Sequence, residues 1–107
     1  MRYYKHLYLS EGLEKKKKKI MQKMEEGKFL PEIFLVVLAP DEKNQLEIHR
    51  YFLLLQPVFH RENFFVVGIS RGYEEALEVV EEIAQEVYNK TKSADIRSYI
   101  LNREQEK

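Results

Sequence analysis

The chain contains no cysteine, which removes disulfide frameworks, thiolate metal sites and cysteine nucleophiles together and fits a reducing compartment. It has no excess charge of either sign: eighteen Lys and Arg side chains cancel eighteen Asp and Glu, so no global field favours a polyanion and nucleic acid is disfavoured as a partner. Long hydrophobic runs are missing too. The longest, Ile33 to Ala39, is far shorter than the roughly 20 residues that span a bilayer. The opening Met1-Arg2-Tyr3-Tyr4-Lys5-His6 lacks the apolar stretch of a secretion signal, and a cytoplasmic protein without membrane association is expected. There is no internal repeat and no linker. The glycines match neither a dinucleotide fingerprint nor a P-loop.

What is present suits one folded domain over residues 1–107 with a C-terminal extension from 93 to 107. Hydrophobic residues make up 44% of the chain and charged residues 34%, enough for a core and a solvated surface, and against disorder. The zero net charge hides a local separation. Lysine dominates Lys15 to Lys19 with Lys23, whereas glutamate dominates Glu74, Glu75, Glu78, Glu81, Glu82 and Glu86.

Read along the chain, Tyr3 to Leu9 forms a first strand, and Ser10 is placed to cap a helix running to about Glu26. Gly27 is the expected stop, because it takes a left-handed conformation without a Cβ penalty. Ile33 to Ala39 is apolar without alternation, the pattern of a strand covered on both faces and typical of parallel sheets. Ile48, Tyr51, Phe52 and Leu55 recur at spacings of three and four, which predicts a second helix from about Glu42 to Gln56. The competing hairpin of Phe34–Ala39 with Gln45–Leu54 is disfavoured because Arg50 breaks the alternation and the turn lacks glycine. Phe64 to Ile69 is a third strand. Tyr73 to about Lys90 is a strongly amphipathic helix with the stripe Tyr73, Ala76, Leu77, Val80, Ile83, Ala84, Val87 and Tyr88. Asp95 is placed to cap a short last helix that carries Ile96, Tyr99, Ile100 and Arg103, while Ile96, Ser98 and Ile100 also alternate as an edge strand would; the helix is the favoured reading.

The expected fold class is therefore α/β: a small domain with a mostly parallel three-stranded sheet, in the order β-α-β-α-β-α, ending in a short C-terminal helix. Strand orders 2-1-3 and 1-2-3 both fit, the second placing the more polar first strand at an edge.

In such a sheet the strand ends gather Ser10, Asp41, Asn44, Gly68, Ser70, Arg71 and Gly72 on one rim, where loop amides and a helix N-terminus favour an anion and Arg71 can pair with it. Asp41 and Glu42 are too few for a protein-only cation site. His6, His49 and His60 lack metal-ligand spacing, and no nucleophile elbow accompanies them, so neither a metal site nor a catalytic residue is assigned and no cofactor is implied. Tyr51, Leu54, Leu55, Val58 and Phe59 offer more apolar surface than a three-stranded sheet covers, the mark of an interface. The function expected from these features is a homodimeric interaction module without catalytic activity. The alternative is a binding protein for a small phosphorylated or carboxylated ligand at the strand-end loops.

Overall fold

The computed structural model describes residues 1–40 and 45–106. Its centre is a four-stranded sheet of β1 (Arg2–Leu9), β2 (Ile33–Leu38), β3 (Leu46–Arg50) and β4 (Phe65–Arg71) in the order β1-β4-β2-β3. Only β1 and β4 are parallel; β4 with β2 and β2 with β3 are antiparallel. Among the described residues three α-helices accompany the sheet, α1 (Lys17–Glu25), α2 (Tyr73–Thr91) and α3 (Ile96–Gln105). The mostly parallel three-stranded β-α-β-α-β-α sheet is thus overturned.

The error has a local origin. Residues predicted as the second helix form β3 and then a short 3-10 turn, Tyr51–Leu55. Ile48 lies in the strand whereas Tyr51, Phe52 and Leu55 lie in the turn, so their helical spacing is a coincidence of two elements. Arg50 does not spoil the strand, because its guanidinium lies 5.2 Å from the ring centre of Phe34, the residue opposite it in β2. A cation over an aromatic face occupies the place an apolar side chain would otherwise take.

Every side chain of β2 is buried. Phe34, Val36 and Leu38 join Tyr4, Tyr8, Phe65 and Val67 beneath α2 and α3, where Ala76, Val79, Ile83, Val87, Ile96 and Ile100 close the core. Ile33, Leu35 and Val37 face the other way, onto Leu13, Met24, Leu30, Tyr51 and Leu54. Helix α1 and the Tyr51–Leu55 turn cover that second face, and the Tyr51 hydroxyl ties them together by donating to the Met24 carbonyl at 3.1 Å. The polar first strand does sit at an edge, but beside β4.

Helix α1 begins after a 3-10 turn, Glu14–Lys16, rather than at Ser10. Gly27 ends it with φ of 71°. The Gly27 and Lys28 amides donate back to Met24 and Lys23, the paired bonds of a Schellman stop. In β4 the pairing register with β2 shifts between Val36 and Val37. Val67 packs under α2, and a Cβ on Gly68 would stand 2.8 Å from a Val79 methyl. Glycine at 68 is therefore what lets α2 lie against the sheet.

Helix α2 is also rotated from its expected orientation. Val79 is buried, while Tyr73, Leu77 and Tyr88 are exposed. The helix carries a wider apolar arc than one sheet face covers. No helix among the described residues is long and apolar enough to cross a membrane.

Gly68→Ala is expected to destabilise the chain by about 1–3 kcal/mol through overpacking. Val79→Ala in the same chain should recover part of that loss, so the double variant costs less than the sum of the singles in urea unfolding. Strict additivity would mean that the Gly68–Val79 contact does not control the helix spacing.

Candidate functional site

The parallel ends of β1 and β4 bring Ser10 against Arg71, as expected from their place at one rim. The contact is structural. The Ser10 hydroxyl accepts from the Arg71 amide at 3.1 Å, and the Ser10 amide donates to Ile69. The Gly72 amide donates to the Glu32 carbonyl at 2.8 Å, and the buried Ser70 hydroxyl donates to the Gly72 carbonyl. Gly68 lies inside the strand rather than in a loop. The amides of Arg71 and Gly72 are thus committed to the chain itself. Asp41 and Asn44 lie outside the described residues. Because β2 runs antiparallel to β4, its Leu38 end is at the opposite rim from Ser10 and Arg71.

The Arg71 side chain has different company. Ile33 opens β2 directly opposite Arg71 at the close of β4, and the chain reaches Ile33 from α1 through Leu30. A groove of about 230 Å³ results, lined by Ile20, Leu30 and Ile33, with Lys16, Lys19 and Lys23 on the α1 side and Arg71 on the strand side. Lys16, Lys19 and Lys23 are spaced by three and four residues, which places them along one side of a helix. Glu32 is the only carboxylate of the lining. None of these four cations has an ion-pair partner among the described residues. The lysine run, read from sequence as a solvated face, thus supplies three side chains to a shared concavity, and the spacing of Lys16, Lys19 and Lys23 was the available clue.

A larger groove, about 620 Å³, runs between α2 and α3. Its principal charges are already matched. One oxygen of Glu86 accepts from the Tyr8 hydroxyl at 2.6 Å, the Tyr99 hydroxyl at 2.8 Å and Arg103 Nη1 at 3.2 Å. Asp95 caps α3 by accepting from the Ser98 amide. Burial alone would raise the Glu86 pKa, but the bonds from Tyr8 and Tyr99 and the charge of Arg103 outweigh it and hold the carboxyl below its ordinary range. Burial, then Glu86, pushes the Tyr8 and Tyr99 hydroxyls up. A depressed carboxyl and reluctant phenols make a clamp for α3 rather than an acid–base pair poised near neutrality.

The remaining sequence candidates are dispersed. His6 is exposed and meets the Tyr4 ring edge-on. His49 contacts Glu47 at 3.2 Å, and His60 lies 3.7 Å from Glu62. No group of three or more potential metal ligands occurs among the described residues. Of the apolar candidates, Tyr51 and Leu54 are core, Leu55 is half-buried, and Val58 and Phe59 are exposed. Comparison of the chain with protein-family models, curated proteins and solved structures finds no match.

Glu86 ionises at lower pH in the folded chain than its ordinary value, so its stabilisation is complete above the unfolded carboxyl pKa and fades as pH falls through the folded one. Glu86→Gln should cost about 1–2 kcal/mol near neutrality through its charged hydrogen bonds, and the gap from wild type should narrow on acidification. Denaturant unfolding at several pH values measures it; a gap that holds constant or widens in acid would discard the clamp.

Proposed function

We propose that this protein binds a small phosphorylated or carboxylated ligand in the groove between α1 and the Ile33–Arg71 corner of the sheet. The observation that carries the reading is the convergence of Lys16, Lys19, Lys23 and Arg71 on one concavity without ion-pair partners among the described residues. Four cations against Glu32 make a local surplus in a chain whose total charge is zero. A bound anion would relieve the repulsion between them, and Arg71 supplies the planar fork that suits phosphate and carboxylate oxygens. At about 230 Å³ the groove is smaller than the usual ~300–1,000 Å³ of ligand pockets, which favours a ligand with one or two anionic groups and a short apolar part over Ile20 and Leu30. Binding here would use side chains, not the committed strand-end amides.

A second reading, a homodimeric interaction module, is favoured by α2. Tyr73, Leu77, Ala84 and Tyr88 are exposed, and Val80 is half-buried between them. Their spacings of three and four residues set them on one side of the longest helix. An exposed apolar stripe of this kind marks a contact surface.

Inorganic phosphate is the first probe for the groove. At constant ionic strength it should raise the unfolding temperature of wild type, as binding to the folded state alone requires. The same rise is expected for Lys15→Ala with Lys18→Ala, outside the groove. In Lys19→Ala with Arg71→Ala it should disappear, each lost charged contact weakening binding about tenfold or more. An equal rise in all three proteins, or in none, would remove the groove as an anion site.

A further inference from the structure

The two edges of the sheet are treated differently. On β1 the Lys5 amide donates to the Glu104 carboxylate at 2.9 Å, and the Lys5 ammonium reaches the Glu106 carbonyl. Pairing along β1 is also irregular between Tyr3 and Tyr8, so α3 and a distorted backbone blunt that edge. At β3 the start of α3 reaches only the residue before the strand, Gln45, whose side chain bonds the Ala94 carbonyl and the Ile96 and Arg97 amides, and the strand itself has neither device. Its register with β2 is unbroken, it contains no lysine or proline, and no further strand follows it among the described residues.

The direction of its free backbone groups follows from one bond. The Ala39 amide donates to the Gln45 carbonyl, which fixes that pair as hydrogen-bonded. Alternation then makes Val37–Glu47 and Leu35–His49 the next hydrogen-bonded pairs and turns the amides and carbonyls of Leu46, Ile48 and Arg50 outward.

We infer that a second copy of this chain docks on β3, antiparallel and centred on Ile48, joining two sheets into one. This inference rests on the homodimer reading of α2 and adds the strand and register that join the two copies. The register is selected by the strand itself. Centred on Ile48, Leu46 faces Arg50 of the other copy and Ile48 faces Ile48, so all three outward residues exchange both of their hydrogen bonds. The intervening residues then meet as Glu47 against His49 in both halves. These positions form a closely spaced pair without backbone bonds between them, where the Glu47 carboxylate, already 3.2 Å from His49 Nε2 of its own chain, gains the imidazole of the other copy as a second hydrogen-bonding neighbour. A strand whose side chains complement those of its own reversed copy suits a twofold interface.

The apolar surface agrees with this geometry. Leu46, Ile48 and Val80 are partly buried against the same core as α2, and Tyr73 meets Phe34, which in turn lies under Arg50. The exposed stripe therefore faces the β3 side of the molecule. A twofold axis perpendicular to the sheet keeps both α2 helices on one face, with their stripes opposed above Leu46 and Ile48 of each copy.

The test exploits charge. Sedimentation velocity should show wild type as a dimer. Glu47→Lys and His49→Glu, alone, should each weaken association on the order of tenfold or more, the first by removing both carboxylates from the imidazoles opposite them and the second by setting carboxylate against carboxylate. Mixed in equal amounts, the two variants should form a heterodimer, since the introduced lysine of one then meets the introduced glutamate of the other, and the native His49 of the first meets the native Glu47 of the second. Native mass spectrometry resolves that species by mass. A role for these residues within one chain would not be rescued by mixing. Wild type that stays monomeric at high concentration would overturn both the inference and the homodimer reading. Variants that still self-associate as tightly as wild type, with Leu77→Glu dissociating, would overturn the strand register while leaving α2 as the contact surface.

Discussion

The antiparallel ladder of β2 and β4 is the constraint on which the rest of the molecule depends. It places two strands with buried side chains at the centre of the sheet, so each face demands its own cover. Helices α2 and α3 close one side, and α1 with the Tyr51–Leu55 turn closes the other. The closeness of that cover is set at Gly68, where the absence of a side chain admits Val79. Burial at this level supplies the driving force, at roughly 25 cal/mol per Å² of apolar surface removed from water. The two edge strands are then left with the chain's polar and aromatic compromises, Lys5 and His6 on β1 and Glu47 and His49 on β3.

Much of this was legible in the residues. Ile33 to Leu38 announced a strand covered on both faces, Gly27 the end of α1, Tyr73 to Lys90 the longest helix, and Asp95 the cap of α3. Direction was not legible. Parallel strands require burial on both faces, but burial on both faces does not require parallel strands. The hairpin is hidden in the sequence because Arg50 reads as a polar interruption, whereas in the structure the exposed guanidinium lies over the Phe34 ring and leaves the ladder intact.

The site was partly legible for a related reason. Ser10, Ser70, Arg71 and Gly72 do meet at one rim, because β1 and β4 are parallel. What the residues did not disclose is that the amides there are already bonded and that Arg71 looks toward Lys16, Lys19 and Lys23. That juxtaposition depends on which face α1 occupies, a choice fixed by the antiparallel return of β2. The Glu86 clamp likewise joins β1, α2 and α3 across long sequence separations, and no local pattern foretells it.

The lysines of α1 and the glutamates of α2 stand on opposite faces of the sheet. A molecule built this way is electrically neutral as a whole yet unevenly charged from side to side. At distances where individual side chains cannot be sensed, its field still exerts a torque, so an approaching anion or negatively charged surface favours the orientation with the α1 face forward. Orientation then precedes contact, and the speed of encounter depends on ionic strength as it would for a charged protein.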